Sequence, residues 1–352
     1  MLVDRTRFEA NLNRMAAHAR SAGLDLRPHA KTHKSIAVGM RQIGLGAIGL
    51  TVAKPEEAMV FWRAGFKPIF LAYPPVGEHK LGRLRPAFEA GDLIVGLDDL
   101  GVATELGAFA MRIGTTVPLM FEVDIGMGRT GLPSGRAAAN AALAVAQVPG
   151  ATLAGIYAHE GHAHGVGRAG LPAFSREIAE QLRATAELIR SAGEPCEIVS
   201  AGTCLTSWHL SRDQGVTEIR PGTYVFNDVR TVVDGGAEWD DCAATVLATV
   251  ISRPDPGRFV IDAGAKTLTT AFDKTYGYGL IQGIDGARLA RLSEEHGIVT
   301  LANPSYDIRI GDRVTVVPIH VCVTVNMHRE LFVIDGEEIV DTLAVDAGLL
   351  TH

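Results

Sequence analysis

Residues 24–34 read LDLRPHAKTHK and join a strand pattern to a lysine. The alternation of Leu24, Asp25 and Leu26 predicts a short strand, and Lys31 follows where that strand ends. Lysine condenses with an aldehyde only as the neutral amine, which nearby positive charge favours. The basic neighbours are Arg27, His29, His33 and Lys34. The stretch therefore predicts either a Schiff-base lysine or a basic turn on a solvated surface.

Along the rest of the chain, short apolar runs alternate with stretches rich in Ala, Leu, Glu and Arg. These stretches, such as 54–64 and 171–192, have helical periodicity. This alternation predicts repeated βα units and a parallel sheet. The predicted strands are residues 24–27, 49–53, 69–73, 93–97, 119–124, 153–159, 198–201 and 217–220. Their number is about that needed to close a (βα)8 barrel of the TIM type, an α/β fold.

The polar residues at the ends of these strands are expected to share one face of the barrel, where such enzymes place their chemistry. They include Lys31, Asp124, His159, Ser200 and Gly222. Past residue 228 the pattern changes to β-rich runs at 242–251, 259–262 and 313–325, with turn signals at 234–236 and 335–336. We therefore predict a barrel domain over residues 1–228 and a β-rich domain over residues 229–352.

Composition and charge argue against nucleic-acid-binding, membrane-spanning and exported classes of protein. A net charge of -7 without a basic face argues against a nucleic-acid partner. No run of about 18 apolar residues predicts a membrane span, and no signal core follows the N-terminus. Four cysteines without a CxxC pattern fit the reducing cytoplasm: Cys196, Cys204, Cys242 and Cys322.

Two glycine turns predict a phosphate site. Residues 200–203 read SAGT and residues 221–224 read PGTY, after the seventh and eighth predicted strands. Barrels commonly bind phosphate after these strands, because glycine lets backbone N–H groups approach a dianion. The alternative is a pair of ordinary capped turns. The predicted cofactor-binding residues here are Ser200, Gly202, Thr203, Gly222, Thr223 and Tyr224.

The stretch around Lys31 resembles the lysine motif of fold-type III pyridoxal-phosphate enzymes related to D-threonine aldolase and D-serine dehydratase. Residues 122–131, 200–203, 218–226, 293–297 and 318–322 resemble later motifs of that family in the same order. The resemblance implies an alanine racemase-like barrel and a β domain whose first strand precedes the barrel. That leader is expected to be absent or clipped here. Residues 204–207, CLTS, depart from the Ser/Thr-Pro-Thr stretch usual in relatives.

The resemblance also implies roles for single residues. Lys31 would hold pyridoxal 5'-phosphate covalently, and Arg129 would contact the cofactor ring, unless it forms a salt bridge to Asp124. His159 falls where relatives carry a histidine or tyrosine beside the ring, and it is expected to be both catalytic and cofactor-binding, as is Lys31. The sequence HEGHAH at 159–164 also permits a zinc cluster. Family members complete each site within a homodimer, and residues 294–296, EEH, are candidates for that contact or for substrate.

His320 and Cys322 are the predicted metal ligands. Residues two apart on a strand project to the same face, and imidazole with thiolate suits Zn2+, with Mn2+ or Mg2+ as other possibilities. By resemblance, the D-serine and D-threo-hydroxyaspartate dehydratases carry H-x-C here, and typical D-threonine aldolases carry H-x-D. A plain packing role is the alternative.

The resemblance implies a pyridoxal-phosphate- and metal-dependent lyase acting on β-hydroxy-D-amino acids. If Lys31 removes the Cα proton while the metal binds the β-hydroxyl, water is lost and a keto acid and ammonia form. If a base instead takes the hydroxyl proton, the Cα–Cβ bond breaks to give glycine and an aldehyde. Cys322 favours the dehydratase over the aldolase. An amino-acid racemase and a pyridoxal-phosphate carrier are the more distant alternatives.

Overall fold

The computed structural model describes residues 1–350, which form two compact units. The barrel unit comprises Asn13–Lys31, Val38–Gly222 and position 350. The β unit comprises Met1–Leu12, Thr32–Ala37 and Thr223–Leu349. The contiguous division between 228 and 229 stays a prediction.

The strands of the described chain are β1 Leu2–Asp4, β2 Asp25–Leu26, β3 Leu50–Val52, β4 Ile69–Leu71, β5 Leu93–Leu97, β6 Val117–Asp124, β7 Leu132–Pro133, β8 Ala151–Tyr157, β9 Ile198–Ala201, β10 Glu218–Ile219, β11 Ala244–Asp255, β12 Arg258–Ile261, β13 Gly279–Ile281, β14 Ala287–Leu292, β15 Gly297–Leu301, β16 Arg313–Pro318, β17 Glu330–Asp335 and β18 Glu338–Ala344. The α-helices are α1 Arg5–Ser21, α2 Ile36–Gly44, α3 Pro55–Arg63, α4 Glu78–Glu89, α5 Leu100–Arg112, α6 Arg136–Ala146, α7 Leu171–Ser191, α8 Val229–Val233, α9 Ala265–Leu268 and α10 Val321–Val325.

The barrel unit contains the eight parallel strands that the sequence predicts. Their order is β2-β10-β9-β8-β6-β5-β4-β3, and a parallel bridge between His29 and Thr51 joins the two ends. The strands are almost wholly buried, as parallel strands covered by helices must be. The predicted (βα)8 barrel is therefore confirmed, and strands β5 and β9 have the predicted bounds.

The barrel helices follow the predicted periodicity. Helix α3 begins at Pro55, whose missing N–H costs nothing in a first turn. Helix α7 buries Ile178, Leu182, Ala186 and Ile189 along one stripe, at the spacing read from the sequence. No α-helix within residues 1–350 is long and apolar enough to cross a bilayer.

The β unit is a mixed, mainly antiparallel sheet of order β14-β15-β12-β11-β1-β17-β18, extended by β16 and β13. The predicted turn at Asp335 and Gly336 joins β17 to β18. Strand β1 pairs antiparallel with β11 and parallel with β17. Of the expectation that the leading strand is absent or clipped, the first part is therefore wrong: three residues, too short for a periodic signal, supply this strand, and Val3 is fully buried.

The predicted β-run at 313–325 is wrong in its second half. Strand β16 ends at Pro318, and Val321–Val325 forms helix α10 despite its β-branched composition. The buried Asp228 side chain accepts the Val321 N–H at 2.9 Å, which holds the chain in a turn at this point. A tertiary contact thus overrides the local β-propensity.

Candidate active site

Lys31 lies in the segment that follows β2, in a 3-10 turn over Ala30–Thr32. Its backbone N–H donates to Nδ1 of His29 at 3.3 Å, and Lys31 itself is half-buried. The expected positive neighbour Arg27 is neutralised: its Nε donates to Glu218 at 2.7 Å, and both side chains are buried. Arg27 therefore stabilises the pairing of β2 with β10, and its charge is less available to lower the pKa expected for Lys31.

His159 follows β8 and shares an electrostatic environment with Lys31. Burial, followed by the positive charges of Lys31, Arg129 and Arg220, lowers the pKa of His159 to about 2. The imidazole is thus neutral over the whole working pH range, which suits packing or hydrogen bonding more than proton transfer. The two arginines, Arg129 and Arg220, form a positive environment that fits an anionic, phosphorylated cofactor.

Arg220 is a residue that sequence reasoning missed. It is buried at the end of β10, where its guanidinium lies over the rings of Phe70 and Tyr157, 5.6 and 5.4 Å from their centroids. It donates to the Ala158 carbonyl at 2.6 Å and to the Ser200 hydroxyl. Glu218 accepts a hydrogen bond from Ser200 at 2.6 Å. Ser200, a predicted cofactor-binding residue, therefore uses its hydroxyl to connect Glu218 with Arg220.

Arg129 lies in the glycine-rich loop after β6 and is half-exposed. Its carboxylate partner is Glu122, whose Oε1 accepts from Nη2 at 3.3 Å. The alternative salt bridge to Asp124 is therefore wrong. Asp124 Oδ1 instead accepts the N–H groups of Gly126 and Gly128 at 3.0 and 3.1 Å, and these bonds lower the pKa of Asp124.

The glycine turn after β9 is already hydrogen-bonded internally. The Gly202 N–H donates to Glu160 Oε1 at 2.7 Å, and the Thr203 N–H donates to Thr206 Oγ1 at 2.8 Å. Burial raises the pKa of Glu160, whose other carboxylate oxygen has no partner in the described chain. Residues 204–207, where the sequence departs from relatives, thus supply a side chain that satisfies one of the predicted phosphate donors.

The turn after β10 leaves its backbone donors available. Within residues 1–350 no hydrogen bond is made by the N–H groups of Gly222 and Thr223. The side chain of Thr223 is engaged elsewhere, with its Oγ1 3.5 Å from Cys322 Sγ. Tyr224 is buried, and its carbonyl accepts from the Asn227 amide at 3.2 Å. Of the two predicted phosphate turns, this one offers the freer donors.

His320 and Cys322 come together in the β unit, but not on a strand. His320 is the N-cap of helix α10 and Cys322 is its second residue, and their side chains are hydrogen-bonded. Burial alone would lower the pKa of His320, but the Cys322 thiolate and Asp228 raise it to about 10. Although burial would raise the pKa of Cys322, His320 and the hydroxyls of Thr223 and Thr32 lower it. The Thr32 hydroxyl is 3.1 Å from Sγ.

Asp228 is the second residue that sequence reasoning missed. It is buried, and its Oδ2 lies 3.3 Å from Nδ1 of His320 while Oδ1 caps α8 through the Thr231 N–H at 2.8 Å. A carboxylate on one ring nitrogen leaves Nε2 as the metal-binding atom of a histidine. The donor set therefore fits a divalent ion with two protein ligands, and no third His, Cys, Asp or Glu joins it in residues 1–350.

The histidines at 159–164 and the loop at 294–296 were the two remaining candidate groups in the sequence. No three His, Cys, Asp or Glu side chains in the described chain are arranged to hold a metal, so the structure gives no support to a zinc cluster at His159, His162 and His164. His162 instead packs edge-on against Phe174 at 4.9 Å. In the exposed 294–296 loop, Lys266 Nζ pairs with Glu294 at 2.8 Å and Glu295 at 2.9 Å.

Comparison with known families matches both parts of the chain. Residues 3–229 match the family model described as alanine racemase, N-terminal domain, and residues 243–334 match a serine dehydratase domain. The first match alone covers more than half of the chain. Enzymes of this family depend on pyridoxal phosphate.

Similar proteins carry two different activities in their names. D-threo-3-hydroxyaspartate dehydratase of Delftia sp. is 33% identical, covering 92% of this chain and 90% of its own length. D-threonine aldolase of Arthrobacter sp. is 31% identical, covering 99% of this chain and 91% of its own length.

A solved structure of a D-threo-3-hydroxyaspartate dehydratase variant, with cysteine replaced by alanine and in the metal-free form, has a TM-score of 0.90 at 30% identity. The match covers 97% of this chain and 96% of that one. The description of that variant as metal-free implies a metal in the parent enzyme. On these matches and on the fold, the chain belongs to the fold-type III, pyridoxal-phosphate-dependent lyases of the D-threonine aldolase and D-serine dehydratase family.

Proposed function

We propose that this protein is a pyridoxal-phosphate- and divalent-metal-dependent dehydratase of β-hydroxy-D-amino acids such as D-serine and D-threo-3-hydroxyaspartate. Its products are a keto acid and ammonia. The observation that supports this proposal is the hydrogen bond between the side chains of Cys322 and His320, together with the contact of His320 with the buried Asp228. The resemblance associates H-x-C with dehydratases, and the Delftia relative is named for this reaction.

Bound pyridoxal phosphate supplies an electron sink for negative charge at the substrate Cα. Lys31 is the residue we assign to covalent attachment, and its neutral amine, once released, takes the Cα proton. Neutral His159 would lie beside the ring, and Arg129 and Arg220 would contribute the positive charge that an anionic cofactor needs. The N–H groups of Gly222 and Thr223 are our preferred phosphate donors, ahead of Gly202 and Thr203.

His320 and Cys322 would hold the metal ion. An imidazole nitrogen with a thiolate sulfur suits Zn2+, whereas Mg2+ and Mn2+ prefer oxygen ligands. Two protein ligands leave positions open for water or a substrate hydroxyl, toward which a divalent ion acts as a Lewis acid. Loss of hydroxide from Cβ after removal of the Cα proton is the dehydratase outcome.

Aldol cleavage is the second candidate function, because the D-threonine aldolase relative aligns with 99% of this chain. The decisive experiment incubates the cofactor- and Zn2+-loaded protein with D-threonine, D-serine and D-threo-3-hydroxyaspartate and identifies products by mass spectrometry. We expect keto acid and ammonia. Glycine with an aldehyde would overturn the dehydratase assignment, and interconversion of D- and L-isomers that survives chelation would indicate a racemase.

We further propose a cytoplasmic homodimer. The four cysteines are free thiols, which fits a reducing compartment. Fold-type III relatives complete their sites across a dimer, and the exposed Glu294, Glu295 and His296 loop is our candidate for that contact. Light scattering is expected to give twice the mass of one chain, and a concentration-independent monomer mass would contradict the dimer.

A further inference from the structure

A buried carboxylate connects Arg129 to the wall of the barrel. Glu122, in β6, is only 7% exposed and uses both of its oxygens. Oε1 accepts from Arg129 Nη2 at 3.3 Å, and Oε2 accepts from the Tyr157 hydroxyl at 2.9 Å. Glu122 therefore orients Arg129 while its own position is fixed by Tyr157. The sequence indicated Glu122 only as part of the motif at residues 122–131.

Tyr157 is well suited to fix Glu122. The two residues are register partners on the adjacent strands β6 and β8, and the Tyr157 ring packs edge-on against Phe70 at 5.1 Å. A Cβ at Gly96 would lie 2.6 Å from the Tyr157 hydroxyl oxygen, so glycine there makes room for it. Burial and the charge of Glu122 raise the pKa of Tyr157 well above its usual value, so the phenol remains a hydrogen-bond donor.

The backbone of the Arg129 loop is fixed by other residues. Asp124 accepts two N–H groups of the loop, and Asp98 Oδ2 accepts the Gly131 N–H at 2.8 Å. A Cβ at Gly131 would lie 2.7 Å from the Asp124 backbone nitrogen, so the loop closes tightly on β6. The contribution of Glu122 is therefore confined to the direction and charge of the guanidinium.

We propose that Glu122 is a positioning residue that sets the orientation and effective charge of Arg129, and thereby the protonation of the cofactor bound at Lys31. The inference rests on the proposed function, in which Arg129 lies at the cofactor ring. A carboxylate beside a guanidinium offsets much of its positive field. Removing that carboxylate exposes the cofactor to the full cation, which disfavours an additional proton on it.

The test is a pH titration of the visible absorption of the bound cofactor in the holoenzyme. Glu122→Gln keeps the shape of the side chain and removes its charge, so the midpoint is expected to fall by about one pH unit, on the order of tenfold in proton affinity. Tyr157→Phe removes one hydrogen bond and keeps the Glu122 charge, so it is the matched control. Its midpoint is expected to move by less than about a third as much.

Equal midpoints in the wild type and Glu122→Gln, or equal shifts in both variants, would overturn the inference. Should Glu122→Gln fail to fold, as judged by thermal unfolding, Glu122→Met removes the same charge and carries the same expectation. A wild-type protein that develops no absorption attributable to cofactor at Lys31 would overturn the proposed function, and the inference with it. A normal wild-type titration with unmoved variants would overturn the inference alone.

Discussion

His159 is an imidazole kept neutral by its surroundings, and this has a consequence for stability. Its pKa is about 2 in the folded protein, against a usual value near 6.5 in the unfolded chain. Below pH 6.5 the imidazole of His159 is therefore protonated in the unfolded state, whereas in the folded state it stays neutral down to about pH 2. Stability from this residue is complete above pH 6.5 and falls as the pH drops below it.

We predict that the cofactor-free protein loses about 1 to 2 kcal/mol between pH 7 and pH 5 through His159, and that His159→Asn removes this part of the acid sensitivity. Urea unfolding at the two pH values measures the difference. His79→Asn, at an exposed position in α4, is the control and should leave the pH dependence unchanged. An identical pH dependence in wild type and His159→Asn would show that the imidazole is protonated in the folded state.

Asp228 orients His320, the proposed metal ligand, through a contact of 3.3 Å between Oδ2 and Nδ1. Removing a carboxylate that orients a ligating histidine typically costs 10- to 100-fold in metal affinity. We therefore expect Asp228→Asn to weaken Zn2+ binding by roughly that factor, measured by competition with a chromophoric chelator. Thr231→Val, which removes only the hydroxyl that bonds the other Asp228 oxygen at 2.7 Å, should change affinity by less than about threefold. Unchanged affinity in Asp228→Asn would mean that His320 is not a ligand.

Among the eight parallel strands of the barrel, the neighbouring strands β2 and β10 are the shortest, with two residues each. Their parallel pairing is supported by the buried ion pair of Arg27 with Glu218, and Arg27 also donates to the Pro68 carbonyl at 3.1 Å. A buried pair that loses one partner leaves an uncompensated charge, which is far more costly than losing an exposed pair.

Glu218→Gln is accordingly predicted to destabilise the protein by about 3 to 5 kcal/mol. Glu89→Gln breaks the exposed pair with Arg85 within α4 and should cost only about 0.5 kcal/mol. Chemical denaturation at constant pH compares the two variants. Similar small losses for both would contradict a structural role for the Arg27–Glu218 pair.

The sequence predicts the barrel strands well because parallel strands buried on both faces read as short apolar runs. It also places Lys31 and His159 after barrel strands, because strand ends in a barrel meet on one face, and their assigned roles stay predictions. The carboxylates around the other predicted site residues were not predictable. Glu122, Glu160 and Asp228 accept hydrogen bonds from Tyr157, Gly202 and Val321, which are distant in sequence. Helix α10 was missed for the same reason, since its start depends on Asp228.

At the scale of the whole molecule, the two compact units do not follow the order of the chain. The N-terminal residues contribute β1 to the sheet of the β unit, and Thr32–Ala37 is grouped with that unit while Lys31 is grouped with the barrel. The predicted cofactor lysine and Thr32, whose hydroxyl contacts Cys322, are therefore consecutive residues on either side of a unit boundary. The division of the chain into units therefore falls between residues 31 and 32.

Covalent binding of pyridoxal phosphate by Lys31 is the basis of the proposed function, and reduction with borohydride followed by peptide mass mapping tests it. We predict one pyridoxyl-phosphate adduct, on the peptide that contains Lys31, and none in Lys31→Ala, whose visible absorption and turnover should also be lost. An adduct on a different lysine, or turnover that persists in Lys31→Ala, would show that Lys31 does not bind the cofactor.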